Sequence, residues 1–159
     1  MAAICTPALF TPEDLPMPLT LAAAQTILSA ALAEGRAKGM NALAICILDE
    51  RGAIKLSASE DGTSLKRGDI ARGKAMGAIS LGVGSRAIAR MASERPHFIS
   101  AATHAIGGAL IPVAGGVLIR DSAKAIIGSI GVSGDTSDND EIAAMAGIAA
   151  AGLVGDPGA

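Results

Sequence analysis

The stretch GSIGVSGDTSDNDE, Gly128 to Glu141, begins as an apolar strand punctuated by glycine and ends as an acidic run entering a helix. No Gly-Lys-Ser/Thr follows, so it is not a Walker A loop, and its glycines recur every three residues, unlike G-x-G-x-x-G. Strand side chains alternate between faces, so this period puts successive glycines on opposite faces. That suits a helix packed on one side and a neighbour approaching on the other. Behind the glycines, Asp138, Asp140 and Glu141 stand at the start of a helix, where carboxylates cap it and complement its dipole. The N–H groups of Ser133 and Gly134 offer an anion nest, but an incoming phosphate would meet those acids. The stretch reads as a close-packed strand end running into a capped helix.

Working outward, GGVLIRDSAKAIIGSIGVSG (115–134) is a hairpin with Asp121 to Lys124 at its turn. NALAICILDERGAIKLSAS (41–59) is another, turning at Arg51-Gly52. Before it, Thr20 is a helix N-cap and Gly39 a C-cap, with Leu21, Ala24, Leu28, Ala31 and Leu32 on one stripe. Between the hairpins, IARGKAMGAISLG (70–82) stacks Ala71, Ala75 and Ala78 at helical spacing, small enough for the backbone to lie close to a sheet. RAIARMASER (86–95) is a helix capped by Ser85 and ended by Pro96, and HFISAATHAIG (97–107) is a short helix or irregular turn. The last helix is expected from about Asp138 to Leu153, with Ile142, Met145, Ala146 and Ala149 inward. The order is helix, two strands, helices, three strands, helix. Hairpins dominate over crossovers, which predicts an α+β fold: a five-stranded antiparallel sheet with flanking helices. Residues 1–18 read as an extended, proline-punctuated arm and residues 19–155 as one domain.

Composition narrows the classes. The 159 residues suffice for one domain with a real core, yet Phe10 and Phe98 are its only aromatics. Ala, Ile, Leu, Val and Met must build that core. Twenty glycines and 50% hydrophobic residues leave more apolar surface than one small domain hides, which predicts a homo-oligomer. The net charge of −2 and the absence of a basic run argue against nucleic-acid binding. Cys5 and Cys46 form neither a disulfide framework nor a zinc knuckle. The N-terminus lacks a positive n-region and is broken by prolines, so no signal peptide is expected. Pro96 to Ile119 carries no charged residue, but Gly107-Gly108, Pro112 and Gly115-Gly116 divide it into helix, turn and strand rather than a membrane span. A soluble, cytoplasmic protein is the expectation.

Four ordered motifs carry a resemblance. Ala71 to Ala78 resembles an A-x-x-K-A-x-x-A helix, and Pro96-His97-Phe98 the P-x-F that follows it. Gly115 to Ile119 resembles a GGVPI strand with Leu118 in place of proline. Gly128 to Glu141 resembles a closing G-x-x-G-V-S-G…D-[DE] segment, with Asn139 before the acidic pair Asp140-Glu141. Together, from about Leu19 to Leu153, they are similar to the GlcG/HbpS-like, or haem-degrading domain, family, which includes the C-terminal domain of PduO-type corrinoid adenosyltransferases. The resemblance implies a five-stranded antiparallel sheet flanked by helices, assembled as dimers, tetramers or octamers. It also implies haem binding or degradation in some relatives, while others have no demonstrated activity.

Three functional readings follow. The first is a protein that binds or degrades haem or a related tetrapyrrole. It assigns Arg72, Arg86, Phe98 and the Gly115-Gly116 pair to the cofactor and His97 to its iron. His97 and His104 are the only histidines. On one helix they share a face about 10 Å apart, too far to hold one metal together. Haem pockets usually draw on aromatic side chains, scarce here, although Leu, Ile and Met can line one. The second reading is a cofactor-independent lyase, isomerase or hydrolase acting on a carboxylate-bearing substrate. Lys74, His97 and Glu141 would be its acid/base residues and arginine would orient the substrate. Lys74 interrupts an alanine-rich packing face and must find a partner there, for which Glu141 is a candidate. The third is a structural or regulatory oligomer without chemistry.

Overall fold

The computed structural model describes residues 18–159. The arm expected at residues 1–18 therefore lies, apart from Pro18, outside the described residues, as do Cys5 and Phe10. Helix α1 (Leu21–Ala37) opens the fold. Strands β1 (Ala44–Asp49) and β2 (Ile54–Ser59) follow, then helices α2 (Arg67–Leu81), α3 (Ser85–Glu94) and α4 (Pro96–Ala105). Strands β3 (Gly116–Arg120) and β4 (Ile126–Ser133), helix α5 (Ser137–Ala150) and the short strand β5 (Val154–Asp156) complete it. The sheet runs β2-β1-β4-β3-β5 and every pairing is antiparallel. The expected α+β sheet of five strands is present, with one correction of order. The fifth strand follows the last helix, because α5 leads the chain back to the free edge of β3.

Helices α1 and α5 cover one face of the sheet. Ile45, Ile47, Val117, Ile119, Ile130 and Val132 point into that layer and meet Ile27 and Ile148, all with 0% exposure. Burying each such side chain contributes about 1.5–3 kcal/mol. Helix α2 covers the other face through Ala71 and Ala75, which pack on Ala44, Cys46 and Leu48.

Glycine sets the depth of α2. Gly116 and Gly131 are directly opposed in register across β3 and β4. A Cβ on Gly131 would lie 1.9 Å from the Ala71 carbonyl oxygen, and one on Gly116 would lie 2.4 Å from that of Lys74. Two strands thus present bare backbone to two consecutive turns of one helix. The alternation of faces also appears as expected: Gly128 meets Leu19 on the opposite side, while Gly134 abuts Ala42 and Leu43.

The helix ends confirm Thr20, whose hydroxyl accepts from the Ala23 N–H at 3.1 Å, and Gly39, which takes a φ of +64° just past α1. Ser85 is a correction. It is the first residue of α3 and spends its hydroxyl elsewhere, accepting from the Gly116 N–H at 2.7 Å and pinning α3 to β3.

The inward faces of α1 and α5 are also corrected. In α1 the fully buried positions are Ala24, Ile27, Ala31 and Gly35, with Leu28 and Leu32 at the margin and Leu21 51% exposed. In α5 they are Asp140, Ala143, Ala144, Gly147 and Ile148, while Ile142 is 41% exposed. Close approach decides the choice: a Cβ on Gly147 would fall 2.5 Å from the Ile27 carbonyl oxygen. Small size, rather than greatest hydrophobicity, marks the contact face.

Candidate functional site

Lys74 lies in the middle of α2 with 2% of its side chain exposed. Its Nζ donates to Asp140 Oδ2 at 2.7 Å and to the Val132 carbonyl oxygen at 2.9 Å. Asp140, 1% exposed, uses Oδ1 to accept from the Asp135 N–H at 3.0 Å. Gly115 closes the group: its φ is +109°, and a Cβ there would lie 2.9 Å from both Lys74 Nζ and Asp140 Cβ. Burial pushes the Lys74 ammonium down from its ordinary value, against the pull of Asp140. Burial likewise pushes the Asp140 carboxyl up, against Lys74. The pair joins α2, the end of β4 and the start of α5 at one point.

The expected partnership between Lys74 and Glu141 is therefore corrected. Neighbouring positions on a helix point about 100° apart, so only one of two consecutive acids at the start of α5 can face inward. Asp140 does. Glu141 turns toward α3, where both of its carboxylate oxygens accept from Arg86 Nε at 3.1 Å. Arg86 also bonds Asp138. Arg86 and Glu141 thus tie α3 to α5, and Gly115 and Gly116 are filled by packing against Lys74.

The remaining sequence candidates stay at the surface. Arg72 is exposed on α2. His97 is exposed in the first turn of α4, next to Phe98, which is 45% exposed with the Arg95 guanidinium 5.3 Å from its ring centre. His104 is exposed in the last turn of α4. The structure does not bring Lys74, His97 and Glu141 together as an acid/base group. Among the described residues, no three His, Cys, Asp or Glu side chains converge to hold a metal. Cys46 is a buried free thiol, its pKa raised by burial.

One of these surface residues borders a cleft. Between α2 and the loop after α4 lies a space of about 350 Å³, lined by Ile70, Arg72 and Gly73 on one side and Gly107, Gly108 and Ile111 on the other. A Cβ at Gly73 would lie 2.5 Å from Ile111 Cγ1, so helix and loop touch at the cleft floor. Gly107 and Gly108 take φ values of +84° and +79° and face open space, leaving a wall of bare backbone. Arg72 makes no ion pair among the described residues, whereas Asp69, at the same cleft, is held by Lys66 at 2.7 Å. Of these lining residues, sequence reasoning found Arg72 alone. The Gly107-Gly108 pair registered only as a break in an apolar run.

The corner after β4 has its own acid. Asp135 accepts from the N–H groups of Asn41 and Thr136 and from Asn139 Nδ2. These bonds lower its pKa from 3.8 to about 2. Because the folded value lies below the unfolded one, the stabilisation is complete above the ordinary aspartate pKa and fades as pH falls toward about 2. Asp135→Asn is expected to flatten that part of the acid limb in a melting-temperature series. An unchanged limb would remove Asp135 from the corner's stability.

A sequence signature described as "Haem degrading protein HbpS-like" matches residues 19–149. The chain belongs to the HbpS-like family. Solved structures agree in architecture. The fold superposes on a PduOC–heme complex with a TM-score of 0.77 at 18% identity, covering 86% of this chain and 97% of that one. Klebsiella pneumoniae protein ORFY gives a TM-score of 0.76 at 24% identity, with coverage of 91% and 98%. HbpS gives 0.72 at 25% identity, with coverage of 93% and 97%. No curated protein matches in sequence. The single open antiparallel sheet with flanking helices matches the fold of these structures. No helix among the described residues is long and apolar enough to cross a membrane.

Proposed function

We propose that this HbpS-like protein binds haem or a related tetrapyrrole in the cleft between α2 and the loop after α4. The observation that carries the reading is the make-up of that cleft: Ile70 and Ile111, bare backbone at Gly107 and Gly108, and Arg72, which makes no ion pair among the described residues. A flat apolar ring fits a wall without side chains, and a guanidinium pairs with a propionate. At about 350 Å³ the cleft is at the low end of small-molecule sites, which run to roughly 1,000 Å³. One chain would therefore cover only part of the ring.

We place the rest of the cover on a second copy in a homo-oligomer. Exposed Leu65 (94%), Phe98 (45%) and Val113 (39%) support an apolar contact of that kind. Of the two histidines, His104 stands at the end of α4 that opens onto the cleft, while His97 is about 10 Å further along the helix. His104 is thus the better placed iron ligand within one chain. Haem, when bound, supplies a redox-active iron, and the residues named here bind and orient it.

A haemin titration followed at the Soret band tests the reading. Saturable binding is expected, weakened roughly tenfold or more by Arg72→Glu, which reverses the charge offered to a propionate. His104→Ala is expected to shift the Soret maximum of the complex and His97→Ala to leave it in place. No Soret shift at micromolar haemin, or equal affinity in Arg72→Glu, overturns the site. Light scattering on the same samples reads the subunit count.

A further inference from the structure

Where the chain leaves β4, Gly134 forms part of a second cavity of about 320 Å³, with Asn41, Gly62, Thr63, Ser64 and Arg67 around it. It lies apart from the Arg72 cleft and shares none of its lining residues. Arg67 is the one charged residue among the described residues that line it. The half-buried guanidinium carries five N–H donors. Among the described residues it makes one hydrogen bond, from Nη1 to the neutral Ser133 Oγ at 3.3 Å. It enters no ion pair there.

Three carboxylates near this corner, Asp135, Asp140 and Glu60, are already engaged elsewhere. Asp135 accepts from Asn41, Thr136 and Asn139, Asp140 from Lys74 and the Asp135 N–H, and Glu60 Oε2 from Arg36 and the Leu43 N–H. Arg67 thus keeps a positive charge and unused donors over a polar space large enough for a small molecule.

We propose that this cavity binds a small organic carboxylate, paired with the Arg67 guanidinium. A planar carboxylate matches the guanidinium fork in bidentate form. The Ser64 hydroxyl makes no hydrogen bond among the described residues and is available as a second donor. A single negative charge also suits the corner better than a dianionic phosphate, because Asp135 and Asp140 lie close behind it. The anion site of this corner is then built by a side chain from the start of α2, with Gly134 only lining the space.

The chain has no Tyr or Trp, so amide NMR shifts are the direct readout. Acetate is titrated in exchange for chloride at constant ionic strength. Saturable shifts are expected at Thr63, Ser64 and Gly134, and Arg67→Gln is expected to weaken the binding roughly tenfold or more. Ser64→Glu, which supplies a tethered carboxylate, is expected to abolish it while the remaining spectrum keeps its dispersion. The proposal is overturned if wild type shows no saturable shift, or if both variants bind acetate as wild type does. Tighter binding of inorganic phosphate with the same shifts overturns the carboxylate assignment. Arg67→Gln is expected to leave the haemin titration unchanged, so failure of either site is read separately.

Discussion

Lys74→Met is expected to destabilise the protein by about 3–5 kcal/mol, the cost of leaving one half of a buried ion pair alone. The variant strands Asp140 at 1% exposure, with Oδ2 deprived of its donor and the Val132 carbonyl also unpaired. Urea unfolding followed by far-ultraviolet circular dichroism measures the loss. The double variant Lys74→Met/Asp140→Ala is expected to recover a substantial part of it, because an apolar pair without added bulk removes the desolvation penalty. Recovery stays incomplete, since Asp140 also holds the Asp135 N–H at the entry to α5. A single variant within about 1 kcal/mol of wild type, the range of an exposed pair, would sink the claim that this contact fastens α2 to α5.

Gly131→Ala is expected to be comparably damaging for a different reason. The added methyl lands 1.9 Å from the Ala71 carbonyl oxygen and 2.8 Å from the Ala75 nitrogen, both backbone atoms of α2. Neither can swing aside as a flexible side chain would, so the whole helix must lift from β4. Overpacking of a rigid contact costs about 1–3 kcal/mol and occasionally more, and this one belongs at the upper end. Gly62→Ala is the comparison: its φ is +89°, but a Cβ there meets nothing within 4 Å. It should cost only the backbone strain, about 1 kcal/mol. Equal losses in the two variants would show that clash with α2 is not what reserves position 131 for glycine.

The same contrast explains what could be read before folding. The glycine period at 128, 131 and 134 announced a strand with a helix against it, and Gly131 under Ala71 is that contact. The residue pattern also announced an interior partner for Lys74, since a lysine among stacked alanines cannot be left unpaired. It did not identify the partner. Asp140 and Glu141 are adjacent, and both were legible as cap residues. Only the rotation of α5 sends the first inward and the second to Arg86. That rotation is itself set by Gly147 against Ile27, a contact between helices more than 100 residues apart in the chain.

Capping residues, hairpin turns and the succession of helices and strands are local properties, governed by neighbours a few positions away. Thr20, Gly39 and the turn at Asp121–Lys124 therefore appear where the residue pattern puts them, and the ordered motifs suffice for the family. Helix faces and side-chain partners depend on which backbone approaches most closely, and that is a property of distant pairs. So α5 turned to its smallest residues, Glu141 was claimed by Arg86, and Gly115-Gly116 became a packing floor. Clefts arise the same way: Arg72 meets the Gly107-Gly108 loop, and Arg67 meets Gly134, only because the sheet draws α2 across the ends of its strands.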